Sequence, residues 1–189
     1  RTGWVERTKE FARPLQRVAE PGRLLLVGTP QDEPWHLAAH LDDESRLSGL
    51  PQLSPTLVRW SPPPGAPPHL AVTMARLEAA SRNETVFVVA PTNAPDPLLE
   101  RVSDARRIGA TIMSIDGGDD ELGDLVHERL VVPTTNPSFG APVDLDVILD
   151  IDTVSHLVSV AAGEFSQPNT LRHRVSQLLE RISGPAPRG

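Results

Sequence analysis

The chain has 189 residues, of which 39% are apolar and 23% charged, enough for one hydrophobic core and too few for two full domains. It has no cysteine and a formal net charge of −7. Disulfide frameworks, thiolate metal sites and cysteine nucleophiles are therefore excluded, and a nucleic-acid partner, bound mainly by neutralising phosphates, is not expected. No apolar run reaches the ~18–20 residues of a membrane span, and no charged leader followed by an apolar stretch opens the sequence, so the expected location is the cytoplasm. Residues 6–19 carry Phe11, Leu15 and Val18 at helical spacing, with Pro14 as the one residue that would kink the helix. After Pro21-Gly22, the run Leu24–Val27 ending at Gly28 reads as a strand buried on both faces. Pro34–Leu47 reads as a helix and Leu57–Trp60 as a second strand. The proline-rich Ser61–Pro68 is a stiff connector. Leu70–Ser81 is predicted helical, Thr85–Val89 a strand, Pro97–Arg107 a helix stopped at Gly109, and Thr111–Ile115 a strand. Asp119–His127 is predicted helical, with acidic residues in its first turn. Leu130–Pro133 is a fifth strand, and Leu145–Gly163 and Thr170–Ile182 are two further helices.

Short apolar strands alternating with helices imply βαβ units and a parallel sheet with helices on both faces. The expected fold is α/β, a three-layer αβα sandwich with five parallel strands in flavodoxin-like order. One domain spans residues 1–183, and residues 184–189 form a tail.

The stretch Thr85–Pro133 resembles the sugar isomerase (SIS) domain family. A hydrophobic strand is followed by a phosphate-loop position and a helix closing on Ala105-Arg106-Arg107-Ile108-Gly109-Ala110. Leu122, Leu125 and Val131-Val132-Pro133 then follow at matching intervals. With the flanking elements the likeness covers most of residues 6–165. It implies a domain that binds a phosphosugar or related carbohydrate derivative, an aldose–ketose isomerase as one activity, and a homodimer or higher homo-oligomer. The family's Ser-x-Ser-Gly-x-Thr phosphate loop is replaced by Ala90-Pro91-Thr92-Asn93-Ala94-Pro95, in which two prolines have removed backbone donors. The loop after the first strand contains Asp32 and Glu33, which would repel a phosphate. Thr29, Gln31, Thr92 and Asn93 are the polar residues expected to line a ligand cleft at the C-terminal edge of the sheet.

His36 and His40 stand four residues apart on one helical face, a spacing suited to two nitrogen ligands. Trp35–Leu41 resembles the segment of the phosphoheptose isomerase branch that carries a His and a Glu at a metal-binding catalytic centre, with His40 in place of the Glu. The resemblance implies His36 and His156 as catalytic residues. It also implies His36, His40, Asp152 and His156 as a ligand set, for which zinc is the fitting metal. Two plainer readings stand beside it: a solvated histidine face, and a hydrated acidic run over Asp144, Asp146, Asp150 and Asp152. Trp35 and Trp60 lie near strand ends, as ligand wall or as packing. His69, His127 and His173 are read as structural or exposed. Three functions follow: an isomerase, a sugar-derivative-binding module that does not turn its ligand over, and an assembly module.

Overall fold

Strand β1, Leu24–Gly28, has every residue buried, as does β3, Thr85–Ala90. Strand β4 runs Thr111–Asp116, while β2, Thr56–Val58, and β5, Glu128–Val131, are shorter. The computed structural model describes residues 2–132 and 150–163. All five strands are parallel in the order β2-β1-β3-β4-β5, as expected from the sequence. Two registers fix the middle of the sheet: Leu26 pairs with Phe87 and Val88 with Ser114.

Side chains on successive strand residues point to opposite faces, so each central strand feeds two cores. Leu24, Leu26, Phe87, Val89, Met113 and Ile115 pack on one side. The helices there are α1 (Thr2–Gln16), α2 (Trp35–Ser48) and α6 (Ile151–Gly163), through Phe11, Leu15, Leu37, Leu41, Val154 and Val158. On the other side Leu25, Val27, Val86, Val88 and Ile112 meet Leu77, Leu98, Val102 and Leu122. Those belong to α3 (Ala75–Glu78), α4 (Asp96–Ile108) and α5 (Asp120–Leu125).

Helix α1 accommodates Pro14 because the proline falls in its last turn, where its carbonyl still accepts Arg17 N–H at 3.0 Å. The helix expected over residues 70–81 is reduced to the single turn of α3. Pro68 opens a 3-10 turn, and the extended Val72 carbonyl accepts the Arg59 N–H at 2.8 Å, continuing the β2 edge. β-branched Val72 and Thr73 suit that extended pairing better than a helix. The expected helix over 145–163 is described only from Ile151, with Asp150 accepting the Thr153 N–H at its start. The expected helix over 170–182, His173 and the tail at 184–189 lie outside the described residues.

Helices α2 and α6 run in the same direction. His156 meets His40 near the middle of both helices, and Gly163 at the end of α6 meets Glu44 further along α2. A Cβ on Gly163 would lie 2.4 Å from Glu44 Oε2, so a side chain there would displace the Glu44 carboxylate. The crossover after β1 leaves on the α2 face and that after β3 on the α4 face, so the C-terminal edge between β1 and β3 is the switch point, the place where open parallel sheets form a ligand crevice.

Candidate functional site

The loop after β1 folds back tightly. Thr29 is fully buried, and its hydroxyl accepts the Asp32 N–H at 3.2 Å and lies 3.4 Å from Asp32 Oδ2. Thr29 therefore organises the loop instead of facing a cleft, while Gln31 is exposed. Gly28 is required by this turn: an added Cβ would fall 2.0 Å from the Asp32 carbonyl oxygen.

Glu33 does not stand as a bare anion beside the cleft, which corrects the sequence expectation. Its Oε2 accepts from Arg59 Nε at 3.0 Å and from Trp35 Nε1 at 3.1 Å, and its Oε1 accepts the Trp60 N–H at 3.2 Å. Arg59 and Glu33 keep only 14% and 13% of their side-chain surface, so the pair is largely shielded from water. The Arg59 guanidinium also lies 4.4 Å from the Trp35 ring centre. Trp60 is held by its Nε1, which donates to the Gly28 carbonyl at 2.9 Å.

Across the crevice, Thr92 and Asn93 in the loop after β3 are exposed. The Ala94 N–H of that loop already has an acceptor, Asp119 Oδ2 at 2.7 Å. The other oxygen of Asp119 takes the Glu121 and Leu122 N–H groups and so caps α5. Thus a buried carboxylate of the chain itself takes up a backbone donor in the loop where the SIS resemblance expects a phosphate.

Asp116, at the end of β4, holds this arrangement in place. It is fully buried and accepts from Arg129 Nε at 3.0 Å and Nη2 at 2.8 Å, from Ser114 Oγ at 2.7 Å, and from the Gly118 and Asp119 N–H groups. Burial alone would raise this carboxyl; the hydrogen bonds from Arg129, Ser114 and Gly118 outweigh it and hold it below the usual carboxylate range. The same bond raises the Arg129 guanidinium above its ordinary value. The sequence reading missed this pair. Its trace was a polar Ser114 and Asp116 alternating on one side of an otherwise apolar strand.

His40 Nε2 and His156 Nδ1 are 3.2 Å apart, with ring centres at 4.3 Å and an interplanar angle of 74°. Both histidines are half-buried. One imidazole of such a pair donates and the other accepts. His36 and Asp152 lie one helical turn away and are exposed. Among the described residues no three His, Cys, Asp or Glu side chains form a group that could hold a metal ion. The four expected zinc ligands therefore appear as one close imidazole pair with two exposed neighbours. His127 is structural, as its Nδ1 accepts the Ile112 N–H at 2.9 Å and extends the β4–β5 pairing. Among the described residues no helix is long and apolar enough to cross a membrane.

No protein-family model matches the chain, and no curated protein sequence matches it significantly. Solved structures do match in fold. A "putative phosphosugar isomerase" from Salmonella typhimurium LT2 superposes with a TM-score of 0.55 at 12% identity, over 88% of this chain and 45% of its own. A "putative sugar binding protein" from the same organism gives 0.54 at 14% identity, over 92% and 47%. The chain thus spans about half the length of these structures. At such identities the likeness is one of fold: a three-layer α/β domain built like these sugar-named neighbours.

Proposed function

We propose that this chain is a sugar-derivative-binding domain of SIS type that does not grip a phosphate with the loop after β3. The observation that carries the reading is the 2.7 Å bond from Ala94 N–H to Asp119. Together with Pro91 and Pro95, which have no N–H, it leaves that loop few donors for an anion. Support for a sugar ligand comes from the fold shared with a sugar-binding and a phosphosugar-isomerase neighbour. It comes also from the crevice between the β1 and β3 loops, where parallel sheets of this order bind ligands. Exposed Gln31, Thr92 and Asn93 are the polar groups offered there. Calorimetry with matched pairs of sugars and their phosphates tests it. The neutral member of each pair should bind at least as tightly, and a phosphate preferred tenfold or more would overturn the reading.

The His40–His156 contact favours a second reading, aldose–ketose isomerisation, in which one imidazole takes the proton from the carbon next to the carbonyl and the pair returns it. Proton magnetic resonance in deuterated water decides it. Exchange at that carbon should appear with the native chain and vanish with His156→Ala; no exchange with any aldose or ketose phosphate offered removes the isomerase.

A further inference from the structure

We propose that Trp35 is a preorganised stacking platform for the apolar face of an uncharged pyranose ring, with the hydroxyls at the ring edge read by the adjoining β1 loop. This deepens the sugar-binding reading above and rests on it.

Trp35 is unusual among the large apolar residues. It is 39% exposed, yet its ring is fixed from two sides. Its Nε1 donates to Glu33 at 3.1 Å, and Arg59 lies 4.4 Å from the ring centre. A guanidinium can cover only one face of an indole, and the residue stays exposed despite it. The Glu33 and Arg59 contacts hold the ring, but the ring surface left in water gives up the hydrophobic stabilisation that burial would add. Fixing the ring does remove the ordering penalty from a binding event.

The chemistry around the ring selects the ligand. The Arg59 charge is matched by Glu33 at 3.0 Å, so the platform has no unbalanced cation to attract a phosphate or carboxylate. Asp32 and Gln31, both exposed, precede Trp35 in the same loop. A carboxylate that accepts and an amide that both accepts and donates are the groups that recognise sugar hydroxyls. An indole face also suits the C–H face of a pyranose, as an apolar surface with a negative quadrupole against weakly positive hydrogens. Because β2 and β3 lie on opposite sides of β1, the Trp35–Arg59 cluster marks the β2 side of the crevice and Thr92 and Asn93 the β3 side. A sugar on the platform would lie beside the β1 loop, away from the Asp119-occupied loop.

The test is isothermal calorimetry with the methyl glycosides of glucose, galactose, mannose and N-acetylglucosamine. It is run on the native chain, Trp35→Phe and Trp35→Ala, with circular dichroism to confirm folding, while the three indole N–H resonances are followed during titration. We expect one glycoside to bind the native chain, Trp35→Ala to weaken it at least tenfold, and Trp35→Phe to stay within about threefold. The Trp35 resonance should shift and that of Trp4 should not. If a glycoside binds but Trp35→Ala retains full affinity, the platform is wrong and the sugar-binding reading stands. If no glycoside binds the folded native chain while a charged sugar does, the uncharged-pyranose inference fails. If no sugar of either kind binds, both readings fail.

Discussion

His40 on α2 and His156 on α6 touch through Nε2 and Nδ1 at 3.2 Å, a contact between residues 116 apart in sequence. It is a polar contact beside the apolar packing that joins these two helices, and it lies near the middle of both. A double-mutant cycle with His40→Ala and His156→Ala should return a coupling of about 0.5–1.5 kcal/mol, the size of one partly shielded hydrogen bond. Strict additivity of the two single losses would show that the rings are neighbours without interaction.

Arg129 is the partner of a fully buried carboxylate, so removing it strands a charge. Arg129→Met should destabilise the fold by about 3–5 kcal/mol in urea titration, as breaking one side of a buried pair does. Arg129→Met with Asp116→Asn together should recover part of the loss, because no unpaired charge then remains buried. Equal destabilisation by the single and double variants would mean that Asp116 is sustained by Ser114 and the loop N–H groups alone.

Acid should act through Asp116 and Glu84. For Glu84, burial raises the carboxyl, but Arg76 and the Ser81 N–H outweigh it and bring it below the usual range. Both groups titrate lower in the folded than in the unfolded chain, so the unfolded state binds more protons at acidic pH. Their stabilisation is complete above the ordinary carboxylate range, about pH 4–5, and is lost as pH falls through and below it. The urea midpoint should therefore be flat in these contributions from pH 7 to about 5 and drop towards pH 3. In Arg129→Met the drop should be shallower.

Much of the fold was legible in the sequence, because a strand buried on both faces must be a short apolar run and a helix-length segment must follow it. Leu24–Val27, Thr85–Val89 and Thr111–Ile115 carry that signature without ambiguity, and the parallel order follows from their alternation with helices. The segment at 70–81 misled because Val72, Met74 and Leu77 have helical spacing, while the Arg59–Val72 backbone bond that wins is invisible in one dimension. The loops were harder. Glu33 read as a repelling anion because its neutraliser, Arg59, lies 26 residues away, and Thr29 read as a ligand group because nothing in its neighbourhood says that a four-residue turn will bury it. The His40–His156 approach was anticipated by resemblance, whereas the exposure of His36 and Asp152 depends on how α2 and α6 rotate against each other.

Asp119 joins three backbone donors, one in the loop after β3 and two in the first turn of α5, and the last prediction isolates them. It accepts from Ala94 at 2.7 Å and caps α5 through Glu121 at 3.0 Å and Leu122 at 3.2 Å. At 6% exposure, water does not readily replace it. Asp119→Ala leaves all three N–H groups without that acceptor and should cost about 2–4 kcal/mol, combining a lost cap with a lost charge-assisted bond. Asp119→Ser separates the two roles. A serine hydroxyl at an N-cap reaches the first-turn N–H groups, but it is one bond too short to reach across to the loop after β3. Amide hydrogen exchange should therefore accelerate at Ala94 in both variants and at Leu122 only in Asp119→Ala. If Ala94 exchange is unchanged when the carboxylate is removed, Asp119 is only a helix cap. The loop after β3 then keeps its donor by other means, and the exclusion of phosphate must be sought elsewhere.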